Sequence, residues 1–189
     1  DIVRAVYNIT TDDTIEVIIN INSQSPEIAN GVDTGGAGDQ GIMIGYACRD
    51  NEEFLPQEYY LSRELNKFVF DKYPYDGKTQ VTMNGNSLRV VCSFQNAPTE
   101  MLEGLVGGFF SRYPQYHIEA LHCNPAGDWN IGGFTADAGL TGRKLAVDNY
   151  GPRVPIGGGA FSGKDATKVA HAQRAARHFH ARAGGAEGA

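Results

Sequence analysis

The sequence predicts an α+β fold. Strand-like and helix-like stretches alternate irregularly, one antiparallel hairpin is legible outright, and no segment repeats with a solenoid period. At 189 residues the chain suffices for one ordinary domain, or two small ones, with a real core. A hydrophobic share of 41% with 20% charged residues is that of a globular chain.

The elements follow in order. "TIEVIININ" (14–22) is rich in β-branched residues and reads as a strand. A polar, glycine-rich loop is expected from Gln24 to Gly41, and "IMIGYAC" (42–48) reads as a second strand. "YYLSRELNKFVFDKYP" places Leu61, Leu65 and Phe68 at helical spacing and stops before Pro74. "TQVTMNGNSLRVVCSFQ" (79–95) alternates as two strands with Asn84-Gly85 close to the turn. Thr99 opens an amphipathic helix ending near Tyr113, before Pro114, and "HIEALHCN" is another strand. The run from Gly127 to Gly163 reads mostly as loops, and the alanine-rich "KDATKVAHAQRAARHFHARA" as a helix.

A net charge of −6 argues against a general nucleic-acid or anionic-membrane binder. The charge is uneven. Between Thr141 and Arg182 stand eight Lys or Arg (143, 144, 153, 164, 168, 174, 177, 182) against Asp148 and Asp165. That surplus suits a polyanionic ligand or a solvated basic helix face. Cys48, Cys92 and Cys123 are widely spaced without a CxxC pair, so neither a disulfide framework nor a zinc site is expected, and a reducing cytoplasmic setting fits. The five histidines form no ligand pattern. No apolar run has the length of a membrane span, and no signal peptide is visible. A start at Asp1 and the tail "AGGAEGA" read as a fragment, a processed form or a chain stripped to its ordered residues.

"GGAFSGKD" contains G-x-x-x-x-G-K, the frame of a P-loop, from Gly158 to Lys164. A P-loop continues with Ser or Thr and follows a buried strand. Here Asp165 follows, and "YGPRVPI" before Gly157 carries Pro152 and Pro155. It is not a P-loop. In "GGAGDQG" (35–41) the glycines would let the backbone and Asp39 approach a ligand, or Asp39 simply forms a turn. Arg143, Lys144, Lys164 and Lys168 together could neutralise a polyphosphate, with Lys164 at a helix start that also favours phosphate. Trp129 could stack on a nucleobase or belong to the core.

These stretches, taken together, resemble the S-adenosylmethionine synthetases. The matching residues are "QSPEIANGVD" (24–33), "GAGDQG" (36–41), "DGKTQVT" (76–82), "GLTGRK" (139–144), "DNYG" (148–151) and "GGGAFSGKD" (157–165), in the family's order. The resemblance implies mixed or antiparallel sheets with helices packed on one face, incomplete relative to the family's three-domain fold. It divides the chain into 1–45, the end of a first domain with a lid loop (24–35) and GAGDQG; 46–135, a central α+β domain; and 136–189, the start of a third segment. It implies transfer of the adenosyl group of ATP to the sulfur of methionine, with release of phosphate and pyrophosphate. Residue by residue, it implies ATP contacts from Asp39, Asp76, Lys78, Trp129, Asp137, Arg143, Lys144, Ala160 and Lys164. Methionine contacts would come from Gln24, Asp137 and Lys168, and the catalytic cations would be Lys78, Arg143, Lys144, Lys164 and Lys168. Implied partners are ATP, methionine, S-adenosylmethionine, and a second copy in a homodimer or tetramer.

The departures are equally specific. The family's early His-Pro-Asp-Lys motif, with a catalytic histidine and a magnesium aspartate, has no counterpart, nor has its potassium-binding glutamate. After Lys168-Val169 the family continues Asp-Arg-Ser, its Asp another magnesium ligand; this chain has Ala170-His171-Ala172. The lid between Asp33 and Gly36 is shorter, and the family's C-terminal part is absent. Mg²⁺ and K⁺ are implied while their ligands are missing, and no residue is assigned to a metal. Two expectations follow: a synthetase needing missing residues or a complementing chain, or an inactive ATP- or S-adenosylmethionine-binding homologue or regulatory subunit.

Overall fold

The structure, a computed structural model, describes residues 16–161 and Thr167. The chain divides into two compact units, Asp1–Gly36 and Ala37–Ala189.

In the first unit the expected loop after Gln24 contains a helix, α1 (Pro26–Asp33). Its start is written in "SPE". Ser25 accepts the Ile28 N–H at 3.4 Å, Pro26 opens the first turn, and Glu27 complements the positive end of the helix dipole. The Thr34 hydroxyl closes it by donating to the Asn30 and Gly31 carbonyls, each at 3.1 Å. The strand expected over 14–22 is not formed in its described part: residues 16–22 lie in no ladder, with Ile18, Ile19 and Ile21 exposed. β-Branched residues favour extended backbone, but a strand exists only with a neighbour to bond.

In the second unit, residues 42–48 also join no ladder. Side-chain packing holds them instead: Ile44 and Tyr46 lie against a small cluster of Leu55, Tyr150 and Val154. The main core comes from α2 (Gln57–Phe70), β1 (Gly77–Asn84), β2 (Ser87–Phe94), α3 (Thr99–Phe110) and β3 (His117–Cys123). The sheet order is β1-β2-β3, with β1/β2 antiparallel and β2/β3 parallel. Gly85 turns the hairpin at φ +58°, where a Cβ would be unfavourable. Alternation then gives each strand two faces. Val81, Leu88, Val90, Cys92, Phe94 and Cys123 face inward, against Leu61, Leu65 and Val69 of α2 and Leu102, Val106, Phe109 and Phe110 of α3. Phe68, expected in the helix core, is only partly buried; Val69 takes that role. The outer face carries Lys78, Gln80, Thr82 and Arg89. Beyond β3 run a 3₁₀ turn (Gly133–Thr135) and a short helix, α4 (Leu145–Asp148). The helix expected after Lys164 lies outside the described residues. Among the described residues no helix is long and apolar enough to cross a membrane.

Candidate nucleotide site

At one end of the sheet β1 begins and β2 finishes, and the loop after β3 returns to meet both. Lys78 pairs across the ladder with Ser93 and extends from the outer face. The Ser93 hydroxyl accepts the Trp129 indole N–H at 3.0 Å and donates to the Asn124 carbonyl oxygen at 3.1 Å. Asn124 is buried and uses both ends of its amide. Its oxygen also accepts the Phe94 N–H at 3.2 Å, and its nitrogen donates to the Ala97 carbonyl at 2.8 Å and to Asp128 at 3.0 Å. Asp128 in turn accepts the Thr99 hydroxyl at 2.6 Å and the Thr99 N–H at 3.1 Å, capping α3 from outside the helix. Those bonds, from Thr99 first and then Asn124, hold the Asp128 carboxyl below the usual carboxylate range.

Asp76 is tied to the same loop. Its carboxylate accepts the Gly133 N–H at 2.6 Å, and its main-chain carbonyl accepts the Gln95 N–H at 2.9 Å. Gln95 donates to the Asn130 carbonyl at 3.1 Å. A side chain at Gly132 would meet the Gln95 amide and stand 3.2 Å from the Asp76 carboxylate, so a larger residue here requires Gln95 to move. Asp137 follows through the 3₁₀ turn, its N–H 3.4 Å from the Gly133 carbonyl. Asp76 and Lys78 at the start of β1, and Trp129 and Asp137 in the loop after β3, thus come from two separate segments to one neighbourhood. An open cleft of about 290 Å³ lies beside it, lined by Asn96, Ala97, Pro98, Asp128, Trp129 and Asn130. The indole is half-buried, and the bond from its N–H to Ser93 orients the ring.

A second neighbourhood forms from the glycine-rich blocks. The Gly38 N–H donates to the Thr167 carbonyl at 3.2 Å. A Cβ at Gly157 would strike the Ile42 carbonyl, and one at Gly142 would stand 2.5 Å from the Ala160 methyl. The approaches draw GAGDQG, GLTGRK and the start of GGGAFSGKD together. Asp39 is exposed and its carboxylate accepts the N–H of its neighbour Gln40 at 2.8 Å. Arg143 and Lys144 are exposed, and among the described residues neither meets a carboxylate at ion-pair distance. Arg153 does: it bonds Glu58 at 2.7 and 2.8 Å and serves the fold. Ala160 is half-buried against Gly142. Gln24 lies in the other unit, exposed, just before the α1 cap. Lys164 and Lys168 lie outside the described residues.

Ser93, Gln95, Asn124 and Asp128 were not singled out from the sequence. The one available signal was "NPAGD" after a strand, a turn cluster whose Asn takes φ +40°. Among the described residues no group of three or more His, Cys, Asp or Glu could hold a metal ion.

The architecture is two-layered α+β, with helices on one face of a mixed sheet and Lys78, Trp129 and the carboxylates of Asp76 and Asp128 at its end. Residues 34–100 match the central domain of S-adenosylmethionine synthetase and residues 131–183 its C-terminal domain. S-adenosylmethionine synthases of Sphingopyxis alaskensis and Cereibacter sphaeroides are 40% and 42% identical to it, over 79% and 82% of this chain and 46% of each relative. The solved structure of an unusual S-adenosylmethionine synthetase from Campylobacter jejuni superposes with a TM-score of 0.68 at 33% identity, covering 82% of this chain and 46% of that one. The chain belongs to the S-adenosylmethionine synthetase family. It spans about half the length of the relatives it matches.

Proposed function

We propose that the chain carries the nucleotide half of a methionine adenosyltransferase site and works with a complementing synthetase segment or chain. The observation that carries this reading is the meeting of Lys78 and Trp129 at Ser93, with Asp76 tied to the same loop through the Gly133 N–H. In the reaction, the methionine sulfur forms a bond to ribose C5′ while the C5′–O bond breaks, and the electron pair leaves with triphosphate. Water then splits triphosphate into phosphate and pyrophosphate. Negative charge develops on the leaving oxygen, so fixed cations at that position lower the barrier. Lys78, Arg143 and Lys144 supply them, with Lys164 and Lys168 completing the set. Trp129 offers its face to adenine, Asp76 and Asp39 accept hydroxyl or amine hydrogens, Ala160 leaves the backbone open to the nucleotide, and Gln24, Asp137 and Lys168 hold methionine. The same reading places the protein in the cytoplasm, with the nucleotide pool, as a homodimer or tetramer, and divides the chain into 1–45, 46–135 and 136–189.

Ala170, which stands where the family pattern places a magnesium-binding Asp, favours a second reading: an inactive homologue that binds ATP or S-adenosylmethionine, or regulates a full-length synthetase.

Two measurements separate the readings. Formation of S-adenosylmethionine from ATP and methionine is followed with the chain alone and with a full-length family member inactivated at its own nucleotide lysines. Turnover restored by mixing supports the first reading. ATP binding by calorimetry without turnover in either case supports the second, and no binding at all overturns both. Lys78→Ala should weaken ATP binding by about tenfold or more, the worth of a charge-assisted hydrogen bond, with folding stability unchanged.

A further inference from the structure

We propose that Cys92 and Cys123 form a reversible disulfide, an oxidation-sensitive modification site that staples β3 to β2 directly behind the Trp129 frame. The two residues are partners in the parallel register of these strands. Both belong to the same buried cluster, so both side chains leave the sheet on its helix-covered face. Neighbouring strands lie about 4.8 Å apart, inside the roughly 4.4–6.8 Å range of Cα separations that a disulfide spans.

The position also gives the bond a consequence. Cys92 precedes Ser93 and Cys123 precedes Asn124; the Ser93 hydroxyl donates to the Asn124 side-chain oxygen and accepts the Trp129 indole N–H. A covalent link one residue behind that pair changes the strand separation on which it depends. Cys48 has no part in this. It lies outside the sheet, beside Tyr46 and Asp50.

Among the described residues β3 is the outer strand of the sheet, and Cys123, its last residue, is 8% exposed where Cys92 is 0%. Burial pushes the Cys92 thiol up to about 12 and the Cys123 thiol to about 11, so both are protonated at neutral pH and Cys123 ionises first. With a small disulfide as oxidant, the Cys123 thiolate attacks one sulfur and releases a thiolate. Cys92 then displaces the second half from the mixed disulfide. Two protein thiols are oxidised, one disulfide is reduced to two thiols, and the two protons pass to the leaving thiolates.

The test treats the whole chain with oxidised glutathione at pH 7 and pH 9, then denatures it, alkylates with iodoacetamide and maps the peptides. A linked Cys92–Cys123 peptide, formed faster at pH 9 and lost on reduction, is the expected result. The fluorescence of Trp129, the one tryptophan of the chain, should change with the same time course. Cys48→Ser should behave as the unaltered chain does. Alkylation of both Cys92 and Cys123 after full reaction of Cys48 overturns the proposal. So does glutathione retained on Cys123, a linked peptide containing Cys48, or a linked pair with unchanged Trp129 emission. None of these readouts depends on the proposed enzymatic activity.

Discussion

Asn124 connects more of the second unit than any residue of the ATP-site pattern. Its amide bridges Ser93 and Phe94 of β2, the Ala97 carbonyl ahead of α3 and the Asp128 carboxylate, from a buried position with φ +40°. Asn is among the few side chains that tolerate that backbone region. Asn124→Ala should destabilise the fold by about 2–4 kcal/mol in urea unfolding, because several polar groups lose their partners at once. Trp129 emission should shift even where the variant remains folded. A second residue-scale effect concerns pH. The Cys92 and Cys123 thiols are raised in the folded chain, so their stabilising effect is complete below the unfolded thiol value of about 8.5. It is lost as pH rises toward their folded values of about 12 and about 11. Unfolding curves should therefore show stability falling above pH 8.5, and Cys92→Ala should be less stable at pH 7 but fall less steeply with alkali.

Among the elements, α3 buries four apolar residues, Leu102, Val106, Phe109 and Phe110, yet its outer side holds Gly104, Gly107 and Gly108 with nothing within 4 Å of an added Cβ. Tertiary packing rather than propensity keeps this segment helical. Changing Gly104 or Gly107 to Ala should raise stability by about 0.5–1 kcal/mol each, read as a higher urea midpoint at unchanged slope. The elements with strong periodicity and clear punctuation were legible in the sequence: α2, the β1–β2 hairpin, α3 and β3. Residues 16–22 and 42–48 had equally good strand composition, but composition supplies no hydrogen-bonding neighbour. The reverse holds for α1. Its apolar content is low, and its Ser25 cap and Pro26 outweighed the glycines that suggested a loop.

At the scale of the whole molecule, the chain corresponds to about half of a family member. The first unit exposes Ile18 (79%), Ile19 (77%) and Ile21 (87%) in an extended run of β-branched residues. An unpaired apolar segment of this kind templates pairing with other chains. Ile18→Lys combined with Ile21→Lys should lower light scattering at high concentration and leave the melting of the second unit unchanged. The site shows the same division between what residue order carries and what folding adds. Residue types and their spacing were enough for the family and the α+β class, because local patterns reflect local backbone chemistry. Folding alone decided that Arg153 answers Glu58 rather than a ligand, that Gln95 and Asp76 grip the loop at Gly132-Gly133, and that Cys92 stands beside Cys123. Those relations join positions far apart in the chain, and only the register of the sheet and the return of the loop after β3 bring them within bonding distance.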